Sequence, residues 1–105
     1  MQHYRQARYD LDRIKELIVA GRCIVTLTAL TCGQELGYTG RQEIKDRVLK
    51  LKKSEIYKTM TVNDTNFKDL WQDVYKTSGI DEPALYIKLQ ISRAEEAVII
   101  SFKEA

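Results

Sequence analysis

Lys58, Gln72, Tyr86 and Lys103 are polar side chains with chemical uses, set in four segments that are otherwise apolar or aromatic: IYKTMT, LWQDVY, ALYIKL and VIISFKE. The segments read as β-strands. A sheet carrying lysine, tyrosine and glutamine on one face has a surface suited to a phosphate or a nucleobase: ammonium groups for phosphate oxygens, a phenol and an amide for hydrogen bonds. The chain has one histidine, His3, beside an end expected to fray and assigned no role. Proton transfer on this surface must therefore run without imidazole.

The first half of the chain reads helical. Asp10 is a plausible N-cap, followed by Leu11, Ile14, Leu17 and Ile18 at helical spacing, with Gly21 as a stop. After an extended piece at 22–25, Thr26 caps a second helix through 30–36, ended by Gly37. Thr39 and Gln42 have capping-box spacing, and Ile44, Val48 and Leu51 mark the inner stripe of a third helix whose outer face holds much of a basic cluster.

The second half reads as strands at 56–62, 70–76, 84–91 and 97–103, separated by a turn at 63–66, a loop at 77–83 and a turn at 92–96. Leu85, Ile87, Leu89 and Ile91 alternate with Tyr86, Lys88 and Gln90. In the last strand Val98, Ile100 and Phe102 take the apolar face, Ser101 and Lys103 the other, and Ile99 breaks the alternation. The fold class is α+β, with N-terminal helices packed on one face of a C-terminal antiparallel sheet. The helices must cover the Leu85/Ile87/Leu89 and Val98/Ile100/Phe102 face, leaving Tyr86, Lys88, Ser101 and Lys103 open. Parity leaves Gln72 undecided: it shares a side with Leu70, Val74 and Lys76, while Trp71, Asp73 and Tyr75 point the other way, so a bulge or an edge position is expected.

At 105 residues the chain suits one domain spanning 1–105. It is 44% apolar and 30% charged, and no apolar run approaches the roughly 20 residues of a membrane span. The opening MQHYRQARYD lacks the apolar core of a signal peptide, which reads as a cytoplasmic protein with no membrane partner. Cys23 and Cys32 are too few for a disulfide framework or a four-ligand zinc site and read as small buried or half-buried thiols. Arg41, Lys45, Arg47, Lys50, Lys52, Lys53 and Lys58 stand against Glu43, Asp46 and Glu55; the ordinary reading is a solvated helix face, the other an attraction for an anionic partner. Asp64, Asp69, Asp73, Asp81 and Glu82 fall in or beside loops with no recognisable metal-ligand spacing, and surface solvation explains them.

SEIYKTMT (54–61), LWQDVY (70–75), LYIK (85–88) and VIISFKE (98–104), in this order and with ALTCGQELG (29–37) before them, resemble the motility quorum-sensing regulator (MqsR) family. That family comprises toxins of type II toxin–antitoxin systems. The resemblance implies a RelE-like fold and a ribosome-independent mRNA endoribonuclease, an mRNA interferase, cutting near GC-containing triplets and held inactive by a cognate antitoxin. Operator DNA would be met only through the antitoxin complex, and no cofactor or metal is implied. Carried over by position, the family's activity residues fall on Tyr57, Lys58, Met60, Gln72, Tyr86 and Lys103. Lys76 departs from the arginine of the relatives, whose bidentate phosphate contact lysine cannot make, and the 77–83 loop does not match closely.

Cleaving RNA through its own 2′-hydroxyl requires that oxygen deprotonated, the phosphate held for in-line attack, the developing charge stabilised and the 5′-oxygen protonated as it leaves. Lysine and tyrosine have reference pKa values of about 10, so their default roles are electrostatic stabiliser and general acid. One lysine among Lys58, Lys88 and Lys103 becomes a base only if its pKa falls by about 3, through burial or neighbouring positive charge. The expected roles are then Lys58 and Lys103 on the scissile phosphate, Tyr86 donating or accepting the travelling proton, and Gln72 on the phosphate or a base edge. Tyr57 and Met60 shape the nucleotide pocket, and Lys76 and Lys88 bind RNA. Singly, each residue has a plainer use: edge lysine, strand tyrosine, core methionine. Trp71 and Tyr75 read as packing. The competing reading is a non-catalytic module that binds RNA or, with an antitoxin, forms an operator-binding repressor.

Overall fold

Asp10 starts the first helix. Its carboxylate accepts from the Asp12 backbone N–H, and α1 (Leu11–Val19) runs until Gly21 takes φ +80°. The computed structural model describes residues 6–61 and 70–105, and the backbone alone of His3 and Tyr4. The 63–66 turn, with Asp64 and also Asp69, lies outside the described residues. Leu11, Ile14, Leu17 and Ile18 are buried, as their spacing predicts. Thr26 caps α2 (Leu27–Glu35) by accepting from the Ala29 N–H at 3.1 Å, and Gly37 follows at φ +100°. The third helix, α3 (Arg41–Val48), begins differently from the Thr39–Gln42 expectation. The Glu43 carboxylate accepts from both the N–H and the hydroxyl of Thr39, and Gln42 donates to Asp46 instead. A charged acceptor makes the stronger bond to those two donors.

The strands are β1 (His3–Tyr4), β2 (Cys23–Val25), β3 (Ile56–Thr61), β4 (Trp71–Thr77), β5 (Leu85–Ile91) and β6 (Ala97–Glu104). They form one sheet in the order β1-β3-β4-β5-β6-β2. The N-terminal end, expected to fray, pairs antiparallel with β3. The C-terminal strands pair antiparallel as expected, and the extended piece β2 joins their sheet in parallel beside β6, with Cys23 opposite Ala97. A strand followed by helices and a long return can enter beside β6 in parallel, which a hairpin cannot.

The three helices lie over one face. Leu11, Ile14, Leu17, Ala29, Ile44 and Val48 pack with Tyr75, Leu85, Ile87, Leu89, Ile99 and Phe102 in one buried cluster. β6 corrects the predicted inner face: Lys88 pairs with Ser101 but Leu89 pairs with Ile99, so Ile100 is an extra residue in a β-bulge. Ala97, Ile99 and Phe102 are fully buried, in place of the expected Val98, Ile100 and Phe102. Thr26 holds this bulge. Its hydroxyl donates to the Ile100 carbonyl at 2.8 Å and its N–H to the Ile99 carbonyl at 3.2 Å. Thr26→Val removes the helix cap and the hydroxyl bond to the Ile100 carbonyl, while keeping the side chain's shape and the backbone bond to Ile99. It is expected to cost about 1–2 kcal/mol, read as a lower urea midpoint at unchanged slope.

Candidate active site

Strand register assembles the site. Lys58 pairs with Val74, Val74 with Lys88, and Lys88 with Ser101, giving one row across four strands. Lys76, Tyr86 and Lys103 form a second row, and Met60 sits opposite Gln72. Directly paired residues share a face. These rows alternate along the strands with the buried Thr59, Asp73, Tyr75, Thr77, Leu85 and Ile87, so they face away from the helices. Lys58, Gln72, Tyr86 and Lys103 thus come together on one open face, with Met60, Lys76 and Lys88 among them.

Gln72 lies in β4, an interior strand, in regular pairing; neither an edge nor a bulge places it there. The bulge is one strand over, in β3, where the register shifts between Ile56 and Lys58. The extra residue is Tyr57. Strict alternation would point it to the helix side, yet its ring lies 3.9 Å from Lys76 Nζ and 5.5 Å from Lys58 Nζ, on the open face. Tyr57 is 46% exposed, which leaves it reachable by a ligand. Met60 and Val74 are buried although they face outward. They form an apolar floor that the longer polar side chains cover with their stems.

The electrostatics of this face are one-sided. Among the described residues no carboxylate lies within salt-bridge distance of Lys58, Lys76, Lys88 or Lys103. Lys103 Nζ is 4.9 Å and Lys88 Nζ 5.9 Å from the Tyr86 ring centroid. Burial, and then the neighbouring Tyr57, push the Tyr86 phenol above its ordinary pKa, so it is a hydrogen-bond donor at neutral pH. Burial, and then the charges of Lys103 and Lys58, push Lys88 below the ordinary lysine value. A surface whose described charges are all positive attracts a polyanion.

The rest of the basic cluster does not join the face. Arg47 turns inward, with Nη2 2.9 Å from Glu82 and 3.0 Å from the Thr77 hydroxyl, which itself donates to Glu55. These contacts tie the loop after β4 to α3. Lys53 pairs with Asp12, and Arg41 donates to the Val25 carbonyl. Lys50 and Lys52 stay exposed beside that loop. The acidic residues are similarly dispersed. Asp73 is fully buried on the helix side, accepting from the Arg8 and Tyr9 N–H groups at 2.9 and 2.8 Å. Asp81 sits in a turn at φ 62°. Tyr75 is core, and Trp71 is held by packing, with Arg8 over its ring at 5.7 Å and its carbonyl accepting from the Tyr9 hydroxyl. Cys23 and Cys32 are free and half-buried, and burial pushes the Cys23 thiol up. Sequence reasoning put Ser101 on the open face without a use, and it stands directly opposite Lys88. The anchoring role of Asp73 had no sequence signal, because its partners are backbone groups 64 and 65 residues away.

The sequence model of a family described as "Motility quorum-sensing regulator, toxin of MqsA" matches residues 6–104. A curated relative, the mRNA interferase toxin MqsR of Escherichia coli (strain K12), is 31% identical over 96 residues, covering 90% of this chain and 90% of that protein.

Proposed function

The chain belongs to the motility quorum-sensing regulator family of toxins, and from that premise we propose that it is an mRNA endoribonuclease whose active site is the open face of the sheet. What carries this reading is the convergence of Lys58, Gln72, Tyr86 and Lys103 on one face, with no acidic partner among the described residues.

The reaction is attack of the RNA 2′-oxygen on the adjacent phosphorus, with departure of the 5′-oxygen, and it needs neither water nor a metal ion as reactant. Lys58 and Lys103 hold the non-bridging oxygens and stabilise the charge that grows on them in the transition state. Tyr86, kept protonated by its surroundings, gives its proton to the leaving 5′-oxygen. Gln72 donates its amide to a phosphate oxygen or a base edge. Tyr57 offers its exposed ring to a base, and Met60 floors the pocket. Lys76, over the Tyr57 ring, and Lys88 attract the RNA backbone. Lys76 does so as a point charge, without the bidentate grip of arginine.

On the same premise the chain is one ribonuclease domain of a toxin–antitoxin pair. It acts in the cytoplasm, cuts near GC-containing triplets without the ribosome, and is silenced by a cognate antitoxin. Operator DNA is reached through the antitoxin complex. Among the described residues no helix is long and apolar enough to cross a membrane.

A single 2′-deoxy nucleotide at the scissile position tests the chemistry. It removes the nucleophile and nothing else, so cleavage at that bond is expected to disappear while neighbouring sites are still cut. Cleavage at the 2′-deoxy position would mean that water is the nucleophile and that the proposed mechanism is wrong.

A further inference from the structure

The ribonuclease reading assigns an acid and two stabilisers but leaves the 2′-hydroxyl proton without an acceptor. We propose that Lys88 is the general base, taking that proton on Nζ from the centre of the open face. This inference rests on the reading above and extends it.

The geometry supports Lys88 over the other lysines. It stands in the middle of the sheet, on β5, with Val74 of β4 on one side and Ser101 of β6 on the other. Val74 is fully buried and directly opposite, so the half-buried Lys88 has an apolar neighbour along its stem. In-line attack places the entering 2′-oxygen and the leaving 5′-oxygen on opposite sides of phosphorus, so base and acid must be two different groups with room for the phosphate between them. Lys88 and Tyr86 are two residues apart on one strand, about 7 Å by strand rise. Lys88 Nζ is 5.9 Å from the Tyr86 ring centroid. Among the described residues the groups facing Lys88 are Lys58 and Tyr57 from β3, Lys76 from β4, Tyr86 from its own strand and Lys103 from β6, and none of these is acidic.

Cations on both sides and an apolar floor disfavour a further ammonium at this position. The depression of the Lys88 pKa by burial, Lys103 and Lys58 agrees with this placement. The step balances: the Lys88 lone pair takes the 2′-proton, the 2′-oxygen–phosphorus bond forms, the phosphorus–5′-oxygen bond breaks, and the 5′-oxygen takes the Tyr86 proton. Lys88 then returns its proton to solvent and Tyr86 regains one. Sequence reasoning grouped Lys88 with the RNA-binding residues, on the same strand face as Tyr86; strand register adds Val74 on one side of it and Ser101 on the other.

Lys88→Arg separates charge from basicity, since arginine keeps the positive charge but does not deprotonate in this pH range. Single-turnover cleavage of a short RNA, and affinity for the same RNA carrying 2′-deoxy at the scissile position, are measured for wild type, Lys88→Arg and Lys88→Ala. The Arg variant is expected to bind the uncleavable RNA within about threefold of wild type. It is expected to cleave about 10²–10⁴-fold more slowly, the usual worth of a positioned base. The wild-type rate should rise with pH and level off below the ordinary lysine pKa, and this plateau should vanish in both variants. Small primary amines in the buffer should restore part of the Lys88→Ala rate. Circular dichroism checks that both variants are folded.

Wild-type cleavage with a fully active Lys88→Arg would overturn the base assignment and leave the ribonuclease reading standing, with Lys88 only a phosphate contact. Uncleaved RNA with the wild-type protein would remove the ribonuclease reading, and this inference with it.

Discussion

Lys58→Ala is expected to slow RNA cleavage by about 10²–10³-fold, the loss that follows removal of one preorganised charge from a transition state. Tyr86→Phe, which deletes one oxygen, is expected to cost about 10²–10⁴-fold through loss of the proton donor. Both residues project from the face opposite the core, so neither change opens a cavity among the buried side chains. Thermal unfolding should therefore move little, within about 0.5 kcal/mol, because Lys58→Ala also relieves repulsion from the neighbouring lysines. The two losses are not expected to add, since stabiliser and acid act on the same transition state. Single-turnover rates with circular dichroism on the same preparations check this. Full activity in both variants would remove Lys58 and Tyr86 from the reaction.

Asp73→Ala should have the largest effect on the fold. The carboxylate is fully buried and accepts from two backbone N–H groups, Arg8 at 2.9 Å and Tyr9 at 2.8 Å. Alanine leaves both donors without that acceptor, just ahead of the Asp10 cap of α1. A loss of about 3 kcal/mol is expected, from hydrogen bonds to a charged group together with the stranded donors. Asp73→Asn, which keeps one acceptor oxygen, should fall between. Urea unfolding measures both; a change in Asp73→Ala below about 0.5 kcal/mol would mean that the anchor is not needed. Asp73 is the chain neighbour of Gln72 but points to the opposite face. Cleavage measured under conditions where the variant is still folded should therefore be close to wild type.

The parts legible in the sequence were those in which one local rule operates. Asp10, Thr26, Gly21 and Gly37 mark helix ends through chemistry confined to a turn, and each does so in the structure. The clean alternation of β5 put Tyr86 and Lys88 on the open face correctly. Illegible parts depend on what lies alongside. Ile99 broke the pattern of β6 because Ile100 is an inserted residue, and an insertion in one strand is defined only against its partner. The same holds for Tyr57, which a bulge turns to the open face. Gln72 was ambiguous because β4 has buried residues on both sides: Tyr75 in the core, and Val74 as the floor of the site. The parallel pairing of β2 and the inward turn of Arg47 toward Glu82 are long-range outcomes that periodicity does not carry.

The central claim is that this face cuts RNA through the RNA's own 2′-hydroxyl, with lysine and tyrosine moving the protons. The most direct measurement incubates the purified protein with a defined RNA in excess EDTA and determines the chemistry of the new ends. Cleavage is expected undiminished, with 2′,3′-cyclic phosphate on one fragment and 5′-hydroxyl on the other. Intact RNA, cleavage lost on chelation, or 5′-phosphate ends would contradict it.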